Sequence, residues 1–240
     1  MTKLVMLLPI SKFEELERRT AQECESVVRE GVDVQVISLE EGPASIECEY
    51  DVVRAEPGIL QAVRGAEESG AAALMISCFS DPGIDAAREI ARIPIIGAGE
   101  TSMYLAAMLG QRFSIVTVLP EVKPRMWRRA HTYGLASKLA SIRDIQIPVR
   151  ELEKEWQMIE QKLFEESRTA IEADGAHAIT LGCTGMVGMA ETLQKDLWEA
   201  SYEVPVIDPV PAMIKFAEGI IDMKLSYSKI TYPLPPAKER

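Results

Sequence analysis

Short apolar runs alternate with longer amphipathic stretches along the whole chain. Residues 4–9, 34–39, 73–78, 94–97, 113–118, 142–148, 178–181 and 205–208 carry few polar residues, which predicts strands buried on both faces. The stretches between them, 13–30, 57–70, 83–91, 100–109, 123–133, 152–174, 187–198 and 211–223, space their apolar residues as helices do. Buried strands separated by helices predict an α/β fold of mostly parallel sheets flanked by helices. The last residues, 226–240, are rich in Pro, Lys and Tyr and predict a tail packed on the surface.

One stretch of this pattern occurs twice. AAALMISCFSDPGIDAAREIARIPIIGAG begins at Ala71, and AHAITLGCTGMVGMAETLQKDLWEASYEVPVIDPV begins at Ala176. Each runs from small residues through a buried strand to a small residue and a Cys, then through a Gly-containing turn, a helix and a strand opening with Pro. The repeat predicts two pseudo-symmetric lobes: residues 1–98 plus 210–225 carry Cys78, and residues 99–209 carry Cys183. Each thiol falls at the C-terminal end of a strand, where open α/β sheets bind ligands.

Composition narrows the function classes. The 240 residues are 47% hydrophobic, enough for a sizeable core, and the formal net charge is −11. That balance, with no basic stripe, argues against nucleic-acid binding. The densest basic cluster, KPRMWRR from Lys123 to Arg129, is expected to be the solvated face of a helix. No run approaches the roughly 20 apolar residues of a membrane span. The opening MTKLVMLLPIS reads as a first strand rather than a signal peptide. Four cysteines without a CxxC pair suggest reduced thiols and a cytoplasmic protein.

Cys24 and Cys48 have no special setting and are expected to be packing residues. Cys78 and Cys183 precede helices, where unpaired N–H groups and the helix dipole favour thiolate. Two facing thiols suit racemisation of a carbon next to a carbonyl: a base on one face and an acid on the other, exchanging roles on turnover. The turns Phe79-Ser80 and Thr184-Gly185 are expected to offer N–H donors to an enolate-like oxygen. Such chemistry needs neither metal nor organic cofactor. His131 and His177, the two histidines, lack ligand spacing. Gly97-Ala98-Gly99 fails the dinucleotide pattern at Ser102 and is expected to form a tight turn into a helix that Glu100 complements. No phosphate-binding P-loop or Cys-x5-Arg loop is present. Asp81 and Asp85 are expected to be a cap and a first-turn residue, and Asp208 structural.

SCFSDPGIDAAREIARIPIIGAGE (Ser77 to Glu100) and TLGCTGMVGMAETL (Thr180 to Leu193) resemble signature segments of the hydantoin and allantoin racemases in the aspartate/glutamate racemase superfamily. GPASIE from Gly42 and RFSIVTVL from Arg112 match at the expected places, and the resemblance runs from about residue 1 to 225. It implies a pair of α/β lobes with the active site in the cleft between them, catalytic thiols at Cys78 and Cys183, no cofactor, and a homo-oligomer. It also implies a small substrate held by Pro9, Ile10, Ser11, Ser45, Ile46, Phe79, Ser80, Thr117, Val118, Thr184 and Gly185. Two departures bear on the substrate. The first strand ends in Leu8-Pro9-Ile10-Ser11 where the family commonly has an Asn-Pro-Asn turn. The Asp-Ser-Gly of glutamate racemases is absent, and Gly185 stands where they have His after Thr184. A charged amino group loses partners, which favours a neutral ring or ureido substrate. The alternatives are an aspartate/glutamate-type amino-acid racemase, a maleate-isomerase-like cis-trans isomerase, and a ligand-binding protein that has kept the fold.

Overall fold

The computed structural model describes residues 1–237 except 153 and 155. In the first sheet, β1 (Thr2–Ser11), β2 (Val32–Leu39), β3 (Ala73–Ile76) and β4 (Ile95–Gly97) lie in the order β2-β1-β3-β4. In the second, β5 (Phe113–Thr117), β6 (Leu139–Asp144), β7 (Ile179–Leu181) and β8 (Val206–Ile207) lie in the order β6-β5-β7-β8. Every strand pair is parallel, and the second order repeats the first. The sequence repeat is thus a repeat of topology, with β3 and β7 as equivalent third strands.

Helices cover both faces of each sheet, as parallel sheets require. They are α1 (Glu14–Val27), α2 (Glu49–Glu68), α3 (Ile84–Ile90), α4 (Ala98–Leu109), α5 (Lys123–Thr132), α6 (Trp156–Glu172), α7 (Met189–Glu199) and α8 (Pro209–Asp222). Side chains alternate along β1. Val5 and Leu7 pack among Val52, Ala55, Ile59 and Val63 of α2. Leu4 and Met6 face the other way, among Val210, Met213, Ile214 and Ala217 of α8. In the second sheet, Val116, Ile179 and Leu181 pack with α6 and α7, while Phe113 and Ile115 pack with α4 and α5.

Three elements have boundaries that differ clearly from expectation. α2 starts at Glu49 and carries Pro57 inside it. The buried stripe Val52, Ala55, Ile59, Val63 runs unbroken past that proline, so tertiary burial outweighs the one backbone hydrogen bond a proline forfeits. β6 ends at Asp144, well short of residue 148, because its partner β5 ends at Thr117. Beyond it Gln146 turns to φ +56°. The helix expected over 152–174 begins at Trp156, and residues 153 and 155 within it lie outside the described residues.

Of the expected tail, residues 238–240 also lie outside the described residues. Before them, Tyr227 and Tyr232 hydrogen-bond Arg88 of α3 at 2.7 and 3.2 Å, and the Arg88 guanidinium stacks 3.9 Å from the Tyr227 ring centroid. Lys229 Nζ donates to the Arg88 carbonyl at 2.6 Å, closing the end of the same helix.

Candidate active site

In each sheet the chain leaves the first strand in one direction and the third in the other, so β1/β3 and β5/β7 are switch points where crevices open. Cys78 follows β3 and Cys183 follows β7. Both line one cavity with Leu8, Pro9 and Ile10 from the end of β1 and Thr117 and Val118 from the end of β5. Ser45 and Ile46 border it, as do Phe79, Ser80, Thr184 and Gly185 of the two thiol-bearing turns. Of the substrate-turn residues expected from sequence, Ser11 alone lies outside this lining. Its N–H is bonded to the Pro43 carbonyl at 2.8 Å, and it serves the loop behind Ile46. Leu16, Val122, Met126 and Val149 join the lining unforeseen, carrying apolar groups in from helices and a short turn.

The two thiol turns touch directly: Thr184 Oγ1 donates to the Ser77 carbonyl at 3.0 Å. Close approach also demands glycines. A Cβ on Gly182 would lie 2.7 Å from Thr117 Cβ, and the Thr117 hydroxyl donates to the Gly182 carbonyl at 3.1 Å. A Cβ on Gly99 would collide with the Phe79 carbonyl, and one on Gly97 would lie 2.5 Å from Asp81 Oδ1. The Gly97-Ala98-Gly99 turn therefore brings the N-terminus of α4 against the Cys78 turn.

The expected lowering of the thiol pKa values is overturned. Burial pushes Cys78 up to about 11 and Cys183 up to about 12. The Ser80 N–H pulls Cys78 back, as Gly185 and Met186 do for Cys183, the Gly185 N lying 3.4 Å from its sulfur. A few N–H dipoles do not replace the water a thiolate loses on burial. These bonds also direct the Ser80 and Gly185 N–H groups toward the sulfurs.

Asp81 caps a helix, but it is α4 rather than the helix that follows it: Oδ1 accepts from Gly99 N at 2.9 Å and Oδ2 from Glu100 N at 2.7 Å. The Tyr133 hydroxyl donates to Oδ2 at 2.6 Å. Asp81 is fully buried, and burial raises its pKa to about 6 despite these donors. They hold it at φ +46°, a conformation that costs a non-glycine residue energy. Asp85 lies in the first turn of α3, and Asp208 caps α8 through Val210 N.

The KPRMWRR cluster is not a solvated face throughout. Arg125 Nε donates to the Ser80 carbonyl at 3.2 Å. Arg129 donates to the same carbonyl at 3.2 Å and to that of Asp81 at 2.6 Å. The acidic turn beneath offers these guanidiniums carbonyls that water would otherwise have to satisfy. Arg125, Arg129 and Tyr133 are four residues apart and share one helical face, the sequence signal that was available. Arg128, 59% exposed, pairs with Glu49 at the surface. Among the described residues no group of three His, Cys, Asp or Glu side chains is placed to hold a metal ion.

Residues 14–217 match the family model for Asp/Glu/Hydantoin racemase. The chain belongs to that family. It is 40% identical over 215 residues to the hydantoin racemase of Pseudomonas sp. (strain NS671), covering 89% of this chain and 84% of that one. It is 39% identical over 197 residues to the hydantoin racemase of Rhizobium meliloti, covering 82% and 80%. The allantoin racemase structure from Klebsiella pneumoniae superposes with a TM-score of 0.92 at 32% identity, over 99% of this chain and 95% of that one. The protein is accordingly an isomerase of the racemase type. Among the described residues no helix is long and apolar enough to cross a membrane.

Proposed function

We propose that the protein racemises hydantoin-type substrates, either 5-substituted hydantoins or allantoin-like ureides, by cofactor-independent two-thiol chemistry. Cys78 and Cys183 are the catalytic pair. One thiolate takes the proton from the chiral carbon, the C–H electron pair passes into an enolate on the neighbouring carbonyl, and the opposite thiol returns a proton to the other face. The Phe79 and Thr184 N–H groups, beside the two that face sulfur, are assigned to the developing oxyanion. Pro9, Ile10, Ile46, Ser80, Thr117, Val118 and Gly185 hold the substrate. In this reading the lobes divide as 1–98 plus 210–225 and 99–209, and the molecule is a cytoplasmic homo-oligomer.

The observation that supports the proposal is the cavity lining: two thiols and, among the described residues, not one charged side chain. Burying an amino acid's ammonium and carboxylates there would strand unpaired charge at a cost of several kcal/mol. A neutral ring pays no such penalty. Polarimetry in deuterated water over 5-substituted hydantoins, allantoin, aspartate and glutamate tests it. Loss of rotation with deuterium uptake is expected on the neutral rings. Turnover confined to the free amino acids would overturn the substrate assignment.

A further inference from the structure

Three donors on one face of α5 and its C-terminus, Arg125, Arg129 and Tyr133, all end on Ser80 and Asp81. α5 follows the first strand of the second sheet, whereas Ser80 and Asp81 belong to the turn after β3 in the first. The side chains of Arg125 and Arg129 are only 16% and 15% exposed, so neither charge is simply dissolved in solvent. Among the described residues no such pair backs the turn of Cys183: the donors to its sulfur are backbone N–H groups, and the one arginine that reaches this segment, Arg19, bonds the Val187 carbonyl at 3.1 Å, four residues beyond the thiol. The topological repeat is thus broken electrostatically at this point.

We infer that Arg125 and Arg129 are positioning residues that fix the Cys78 turn and favour the Cys78 thiolate over that of Cys183. The inference rests on the two-thiol reading for its catalytic meaning, while the placement of both guanidiniums on the Cys78 turn is geometric. The charged groups that face Cys78 are Asp81 within its own turn, which opposes the thiolate, and Arg125 on α5, which supports it. Those that face Cys183 are Cys78 and Glu47, both of which oppose its ionisation. Glu47, anchored to Val149 N at 2.9 Å, thus adds to the asymmetry from the other side. The outer end of Arg125 meets Glu49 at 2.7 Å, a half-exposed carboxylate that draws part of its field away from the site.

The experiment is iodoacetamide alkylation of the full-length protein between pH 7.5 and 9, with each cysteine quantified separately by peptide mass spectrometry. Cys183 is the internal control for any general loosening. In Arg125→Gln the Cys78 rate is expected to fall about three- to tenfold while that of Cys183 holds, since a nearby unit charge moves a pKa by a fraction of a unit to about one unit. Arg125→Lys, which keeps the charge, is expected to restore most of the rate. Glu49→Gln, at a half-exposed position that leaves folding intact, moves the Cys78 rate the other way, by about twofold. On a turned-over substrate, Arg125→Gln lowers kcat with little change in KM. The inference is overturned if both thiols slow equally in Arg125→Gln, if neither slows, or if Glu49→Gln leaves Cys78 unmoved. Because alkylation needs no substrate, these failures are distinct from failure to racemise hydantoins.

Discussion

At the scale of single residues, the site is governed by desolvation of sulfur. Cys78 near 11 and Cys183 near 12 are almost wholly protonated at neutral pH. A raised thiol pKa means the folded protein resists ionisation, so the thiolate fraction grows about tenfold per pH unit until about 11 is approached. Alkylation of both cysteines is therefore expected to rise with unit slope from pH 7 to 9.5; a plateau near pH 8 would place the thiols at ordinary values. The sequence singled out the two cysteines that line one cavity, since strand end and helix start are local features. It did not show the direction of their shift, because that depends on how deeply distant segments such as Leu16 and Val149 cover them. Arg125 and Arg129 were hidden for the same reason. Their spacing was visible, but the turn they would meet lies some 45 residues away.

Among elements, the Cys78 turn is held from two sides, by the N-terminus of α4 through Asp81 and by α5 through its arginines. Gly99→Ala pushes a methyl group into the Phe79 carbonyl and is expected to cost about 1–3 kcal/mol of stability. The same change shifts the Cys78 turn, so racemisation falls by more than the folded fraction does. Urea denaturation beside activity of the folded enzyme separates the two, and full activity in a destabilised variant would show that the turn is not coupled to α4. The order of elements was legible because the inner strands are short, wholly buried runs between amphipathic stretches, as in β3 and β7. Their ends were less so: β6 stops where β5 stops, and α2 continues through Pro57 because its buried stripe does.

Across the whole molecule, two sheets of equal topology face one another over a neutral cavity, and the repeated Cys segments in the sequence anticipated that arrangement. A second groove of about 1350 Å³ runs along α1, α4, α7 and α8 and shares no lining residue with the thiol cavity. Glu23 and Asp208 meet there: burial and then the nearby Asp208 carboxylate push Glu23 up to about 8, while burial raises Asp208 to about 6 against the hydrogen bonds from Val210 and Glu23 that hold it down. For a carboxyl raised on folding, the stabilising contribution is complete below its unfolded pKa and is lost as pH rises through the folded one. Stability from this pair is thus present near pH 4 and lost by pH 8 to 9. Glu23→Gln is expected to flatten the fall in melting temperature between pH 6 and 9 and to gain about 1–2 kcal/mol at pH 9, allowing for partial solvent screening. A variant with the wild-type pH profile would place the charge repulsion elsewhere.

The account stands on two sulfurs serving opposite faces of one carbon, and isotope exchange by single-cysteine variants tests this most directly. Cys78→Ser and Cys183→Ser are each incubated with separate enantiomers of a 5-substituted hydantoin in deuterated water, and the chiral-centre proton is followed by NMR beside optical rotation. Each variant is expected to lose racemisation by about 10²–10⁴-fold. Each should still exchange deuterium into one enantiomer, a different one for each variant. Racemisation at the wild-type rate in either variant, or exchange into the same enantiomer by both, would contradict it.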